Sequence, residues 1–354
     1  MTPIQKIAEP LKVHILGAGA LGSLVAHDLK MFQQQRPVLP ALLLRPNKSS
    51  IKDRFIRVKS PDHVHRAKDS SVEVPVDKAK DLQGNSIENL IITTKCFQTE
   101  AALQPYIENL SSKSNVLILQ NGMGMPDFLT KRFWVNSSNC PKFFEAITTH
   151  GVYVDEHGVV NHASKGTLQI SSNNGLATNE LPEMIRAILN TPSLNAEYVE
   201  YHDFILLQMQ KLVINCCINP LSAIFDVPNG NLLYGEDTIK LWKSIITECL
   251  EIFHVEYPIL EEIPQSRAFL SESRLLDIVT SVCRSTALNS SSMRQDVRNL
   301  RNTEIDNLNG YISFLGKKHN KATFTNSMIT SMVKTKLGID RGVDKAAADA
   351  ILSL

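Results

Sequence analysis

The sequence predicts an α/β domain followed by an all-α domain, and three observations carry that expectation. A short apolar run, "KVHIL" at 12–16, passes straight into "GAGALG" and then into "SLVAHDLKMF", which has helical period, and more strand-like runs follow up to about residue 170. From about 202 the alternation of strands disappears and long helical periods replace it, as in "DFILLQMQKLVINCCINPLSAIF", "TIKLWKSIITECLEIFHV", "LLDIVTSVCRSTAL" and "EIDNLNGYISFLGKKH". The length, 354 residues, also exceeds what one core of ordinary size serves. The expected division is 1–201 and 202–354.

In the first half, Gly17, Gly19 and Gly22 occupy a strand–turn–helix context, which is what gives G-x-G-x-x-G its meaning. The glycines permit a tight turn, close backbone approach to a pyrophosphate and close helix packing, with Ala18, Ala20 and Leu21 completing the turn. The pyrophosphate would rest on free amide groups at the helix N-terminus. A Rossmann-type dinucleotide-binding domain is therefore expected.

The next strand is read as "ALLLR", 41–45. A site preferring NAD usually carries Asp or Glu at that strand end, where this chain has Arg45, with Lys48 nearby. A guanidinium binds a 2′-phosphate that a carboxylate would repel, so NADPH/NADP+ is the expected cofactor. An exposed loop arginine is the alternative. "NLIITTKCFQ" ends its strand at Thr94-Lys95, and "NVLILQNGMG" ends at Gln120-Asn121 and turns on Gly122. Ligands of doubly wound sheets bind beyond the carboxyl ends of strands, which makes Lys95 and Asn121 candidate cofactor contacts or else solvated strand ends. The stretch 143–170, with turns at "DEHG" and "ASKG", predicts antiparallel strands extending the sheet, and "NELPEMIRAILN" one more helix.

In the second half the polar residues are the informative ones. Lys211, Asn215 and Asn219 interrupt an apolar helix four residues apart, so they share one face. Buried without partners they would be costly, and a cleft between the two domains is the place expected for them. Pro220 removes an amide donor and predicts a kink near 216–219. "DVPNGNLL", 226–233, is a turn that could aim Asn229 at the same space. Thr303 followed by Glu304 and Asp306 reads as a helix cap, with Glu304 in the first turn, and capping alone could explain both acids.

Composition narrows the partners. Apolar residues make up 43% and charged residues 21%, as in a globular protein, and the formal net charge is +1. No global field draws nucleic acid or an anionic membrane, so any anion must be held by a local site. No apolar run approaches the roughly 20 residues that cross a bilayer, and "MTPIQKIAEPLK" resembles neither a signal nor a transit peptide. Six cysteines (96, 140, 216, 217, 249, 283) show no CxxC spacing, which predicts reduced thiols, no metal site and a cytoplasmic location.

Seven segments in order, "ILGAGALGS", "TTKCFQ", "LQNGMG", "TTHG", "KLVINCCINPLSAI", "PNGNL" and "SSMRQDVRNLRNTEIDNLNGYI", make the chain resemble ketopantoate reductases (2-dehydropantoate 2-reductases) over nearly its whole length. That resemblance implies reduction of ketopantoate to (R)-pantoate on the route to pantothenate and coenzyme A. It implies that residues 17–22 hold the NADP pyrophosphate, Arg45 the 2′-phosphate, and Lys95 and Asn121 the nicotinamide side, with a looser match at Val152. It places Lys211 as proton donor and Glu304 as the essential acid near lysine and cofactor. Asn121, Asn215, Asn219 and Asn229 become substrate-binding amides, and Ser292 part of the segment holding the substrate carboxylate. Ser292 also has capping-box spacing with Gln295, and the two roles can coexist. The segment 45–90 is longer and more basic than the usual pattern, and "DFILLQMQK" replaces a lead that usually carries tryptophan.

The residues suit that chemistry. A ketone reduction needs a hydride at the carbonyl carbon and a proton for the developing alkoxide, which a lysine ammonium can supply while a carboxylate keeps it charged. The substrate expected is a small 2-oxo acid. A reductase of another branched 2-oxo acid would share every cofactor residue, and a non-catalytic NADP-binding regulator would not need Lys211, three amides and Glu304 together. The sequence gives no oligomeric state, and a homodimer stays open.

Overall fold

The structure is a computed structural model that describes residues 9–32, 36–44, 53–61, 67–135, 138–172 and 175–352. Arg45 and Lys48 lie outside the described residues. Two compact units divide the chain, Met1–Gln120 with Gly124–Phe204, and Asn121–Met123 with Ile205–Leu354.

The first unit runs β1 (Leu11–Leu16), α1 (Ala20–Met31), β2 (Val38–Leu43), β3 (Asp53–Lys59), β4 (Asp69–Asp77), β5 (Asn89–Ile92), α2 (Cys96–Leu103), β6 (Asn115–Leu119), α3 (Met125–Phe133), β7 (Lys142–Thr148), β8 (Gly151–Val154), β9 (Val160–Ser164), β10 (Leu168–Ser171), α4 (Glu183–Leu189) and β11 (Ala196–Tyr198). Among the described residues they form one sheet in the order β11-β10-β7-β6-β5-β1-β2-β4-β3-β9-β8. The chain goes from β1 to β2 on one side and returns to β5 on the other, with parallel pairing on both. A topological switch point therefore lies at the carboxyl end of β1.

β1 is buried on both faces, as parallel strands are. Leu11, Val13 and Ile15 join the core beneath α1, and Leu16 joins the core on the other face with Tyr106 and Trp134. His14, on the second face, is buried and pairs with Asp77 at 3.1 Å, and Lys12 reaches the same carboxylate at 2.7 Å. The sheet curls round α1, which touches β1 to β4 as well as β8 and β9. Every residue from Gly22 to Leu29 is consequently buried, polar ones included. His27 Nδ1 meets Asp28 Oδ1 at 2.8 Å, Ser193 Oγ donates to Asp28 Oδ2 at 2.6 Å, and Ser70 Oγ stands 3.0 Å from His27 Nε2, which offsets the cost of burying them.

One expectation, that the strands over 143–170 are antiparallel, needs correction here. β7 joins β6 in parallel, because α3 provides a crossover, and among the strands after β6 only β10 against β7 and the β8/β9 hairpin are antiparallel. The hairpin extends the sheet at the other edge, where β9 runs parallel to β3.

The second unit contains α5 (Tyr201–Ile224, whose first turn belongs to the first unit), α6 (Thr238–Glu256), α7 (Ser266–Phe269), α8 (Glu272–Ser285), α9 (Ser292–Arg298), α10 (Asn309–Lys318) and α11 (Phe324–Leu352). Contrary to expectation, α5 is long and apolar enough to cross a membrane by length and composition. In its most apolar window 67% of the residues are buried inside the protein, the condition of a core helix.

α5 continues through Pro220 as one element. Proline cannot donate to the carbonyl four residues back, that of Cys216. Asn309 Nδ2, from a fully buried side chain on α10, donates to that oxygen at 3.1 Å, and Trp242 Nε1 donates to the next carbonyl, Cys217, at 3.0 Å. Burial pushes the thiols of Cys216 and Cys217 well above the ordinary range, so both are neutral packing groups.

Candidate active site

In the first unit a cavity of about 490 Å³ opens at the switch point. Its lining includes Gly17 to Leu21, the ends of β2 (Leu43, Leu44) and β5 (Thr93 to Lys95), and Gln98 to Tyr106 in part. Local geometry explains each glycine differently. Gly17 has φ +117°, and a Cβ on Gly22 would stand 1.9 Å from the Gly17 oxygen, so neither position admits a side chain. A Cβ on Gly19 would meet nothing within 4 Å. That position is open, as close approach of a ligand to the backbone requires. No side chain caps the N-terminus of α1, and its first turn carries no acid, so its amide groups suit an anion. These features fit the pyrophosphate of a dinucleotide.

The lining is held in place from several strands. Thr93 Oγ1 donates to the Gly17 oxygen at 2.7 Å. Tyr106 donates to the Leu44 oxygen at 3.1 Å, and burial pushes its hydroxyl up to about 12. Gln120 Nε2 donates to Thr99 Oγ1 at 2.7 Å and to both oxygens of Thr94, which fixes the turn that presents Lys95. Among the described residues, no carboxylate lines the cavity at the end of β2. Val152, in β8, packs against the core on the α1 face and is not part of the cavity wall.

The second unit gathers the other predicted residues. Lys211, Asn215 and Asn219 are partly exposed, while Leu212, Val213, Cys216, Cys217, Ile218 and Pro220 are buried, so the four-residue spacing marks one opened stripe. Beside it, Ser291 Oγ accepts from Ser222 Oγ at 2.7 Å, and Ser222 Oγ also lies 3.0 Å from the Asn219 oxygen, pinning the start of α9 to α5. The cap of α9 is Ser291, whose Oγ accepts from the Arg294 amide at 3.0 Å, and Ser292 is the exposed first residue of the helix. The cap thus sits one residue earlier than predicted, and the expected box with Gln295 does not form, because the third residue after the cap is Arg294.

The loop before α9 also fixes Asn229. Its amide donates to the Asn289 oxygen at 3.0 Å and its Nδ2 to Thr286 Oγ1 at 3.0 Å, while its buried Oδ1 has no hydrogen-bond partner among the described residues. Asn219, Asn229 and Ser292 are therefore assembled by one loop.

Glu304 is buried and accepts from Asn121 Nδ2 at 3.2 Å. It precedes a 3-10 turn, Ile305–Asn307, and its side chain does not cap it, so the expected Thr303 cap with Glu304 in a first helical turn does not form. Gly122 makes the approach of the Asn121 turn feasible, since its φ is +89° and a Cβ would stand 2.9 Å from the Asn307 oxygen. Sequence reasoning missed Arg54, Gln120 and Asn309. Their partners are distant in the chain, and only the alternating pattern "DRFIRVK", which turns Arg54 to the same face as Ile56 and Val58, could have flagged Arg54.

The fold and the cavity define a dinucleotide-binding domain joined to a helical domain. A family model described as "Ketopantoate reductase PanE/ApbA" matches residues 13–175, and "Ketopantoate reductase PanE/ApbA C terminal" matches 203–337. A "Probable 2-dehydropantoate 2-reductase" of Schizosaccharomyces pombe is 34% identical over 93% of this chain and 97% of its own. The "2-dehydropantoate 2-reductase" of Saccharomyces cerevisiae is 29% identical over 93% and 95%. Among solved structures, D-mandelate dehydrogenase with NADH and anilino(oxo)acetate aligns with a TM-score of 0.76 at 24% identity, covering 94% of this chain and 99% of that one. The chain belongs to the ketopantoate reductase family.

Proposed function

We propose that this protein is an NADPH-dependent 2-dehydropantoate 2-reductase that forms (R)-pantoate on the route to pantothenate and coenzyme A. The observation that carries the reading is the partly exposed stripe of Lys211, Asn215 and Asn219, polar residues on one side of a mostly buried helix. When bound, the nicotinamide supplies the hydride to the carbonyl carbon. Lys211 gives its Nζ proton to the carbonyl oxygen, and its charge stabilises the developing alkoxide. Glu304 favours the charged lysine, while Asn215, Asn219, Asn229 and Asn121 orient the substrate by neutral hydrogen bonds. Ser292, at the start of α9, receives the carboxylate. The glycine turn and Lys95 position the cofactor. Arg45 takes the 2′-phosphate, which is the basis for preferring NADPH.

Initial rates of NADPH oxidation with ketopantoate and a panel of branched 2-oxo acids test the substrate. A preference for another acid would replace ketopantoate and keep the reaction. Lys211→Ala should lose at least about 100-fold in kcat, the scale of a general acid. Unchanged turnover would sink the assignment and favour a regulator. Six cysteines outside any disulfide support a cytoplasmic location, which fractionation checks. A homodimer is also proposed, by analogy with the relative described as a dimeric ketopantoate reductase of Staphylococcus aureus, and a monomer mass in light scattering would remove it.

A further inference from the structure

Among the described residues, Arg54 is the one guanidinium in the cavity wall of the first unit. It starts from β3, two strands away from β2, and its Nη1 donates to the Ala18 oxygen in the glycine turn at 2.9 Å. Its neighbour on the strand, Arg57, is paired with Asp69. Arg54 instead has only a neutral carbonyl as its partner among the described residues. Burial alone lowers its pKa, with no carboxylate acting against the shift. A half-buried guanidinium held by one of its five N–H groups keeps donors and charge for a further, anionic partner. The cavity also tells which phosphate is nearest in kind. One cavity holds the glycine turn, Arg54 and the end of β2; the pyrophosphate already has the open amides of α1, which leaves the Arg54 charge for a phosphate on the adenosine ribose, the part this class of fold reads at the end of β2.

We propose that Arg54 is a cofactor-specificity residue that binds the 2′-phosphate of the adenosine ribose, distinct from the expected contribution of Arg45. The inference rests on the NADPH reading above and adds a second cation to it. A planar fork anchored on the Ala18 oxygen brings the glycine turn and the 2′-phosphate into one hydrogen-bonded unit, so cofactor recognition and turn geometry are coupled. The preference for NADPH would then survive, in weakened form, when Arg45 is replaced.

The test is direct binding without substrate, by calorimetry with NADPH and with NADH, which differ only in the 2′-phosphate. Arg54→Gln retains a donor for the Ala18 oxygen and removes the charge. It should weaken NADPH binding about tenfold or more, the scale of a charge-assisted pair, and leave NADH binding unchanged. Arg54→Lys should keep more of the NADPH preference than Arg54→Gln, and both should melt near the wild type. An equal loss for both nucleotides assigns the residue to the pyrophosphate or to the turn itself and overturns the proposal. So does full retention of the preference in Arg54→Gln, or its complete loss in Arg45→Ala alone. If the wild type binds NADH as tightly as NADPH, this proposal and the NADPH preference fail while dinucleotide binding stands. If it binds neither, the cofactor reading fails with it.

Discussion

Gly22 and Gly19 look alike in the motif and answer to different forces. Gly22 is demanded by the protein itself, since a methyl group there would overlap the Gly17 oxygen at 1.9 Å. Gly22→Ala should therefore lower stability by about 2 kcal/mol or more, through forced backbone displacement, and lower the melting temperature with or without nucleotide. Gly19 has open space around its Cβ position. Gly19→Ala should melt within a few degrees of the wild type and yet bind NADPH more weakly, because the methyl group occupies the approach to the backbone. Equal melting losses in the two variants would show that the distinction is wrong. The motif was legible because the contact that excludes a side chain at Gly22, to the Gly17 oxygen, lies within the turn itself, whereas the further contacts to Thr93 could not be read locally. The cap of α9 was less so, since Ser290, Ser291 and Ser292 are chemically equivalent and only the backbone register selects Ser291.

At the scale of the helix, Pro220 and Asn309 form a matched pair. The proline leaves the Cys216 oxygen without its helical donor, and Asn309 supplies one from α10. The same Nδ2 also donates to Asn326 Oδ1 at 2.9 Å, and Asn326 Nδ2 donates to Glu248 at 2.7 Å, so the bond continues a buried polar chain. Asn309→Ala should cost about 2 kcal/mol, the price of orphaning a buried acceptor. In a Pro220→Ala background the helix can restore its own donor, and the cost of Asn309→Ala should shrink. A double-mutant cycle by urea denaturation measures this, and strict additivity would contradict the pairing. The stripe of Lys211, Asn215 and Asn219 was readable from a four-residue period. Asn309 was not, because its partner is 93 residues away and nothing near it in the chain reveals the need.

Over the whole molecule, acid stability depends on charges that tie strands together. Asp77, at the end of β4, is bonded to His14 and Lys12 of β1, two strands away in the sheet. The His14 bond first, and then Lys12, hold its carboxyl at about 2, below the usual 3.8. A depressed folded-state pKa contributes stability that is present above about pH 4 and is lost as pH falls toward 2. Solvent screening reduces the contribution to about 1 kcal/mol. Asp77→Asn should thus be less stable than the wild type at pH 6, with the gap closing between pH 4 and pH 2. A gap independent of pH would assign the effect to packing. The sequence by itself determined the α/β and all-α halves, the glycine turn and the polar stripe, because periodicity and short-range sterics operate between neighbours in the chain. Only the tertiary structure decided that β8 and β9 close over α1, that Arg54 reaches the cavity, that Asn309 answers Pro220 and that Asn121 meets Glu304. Those pairings join residues from 36 to 183 positions apart, and strand order and helix packing, which no local pattern encodes, bring them together.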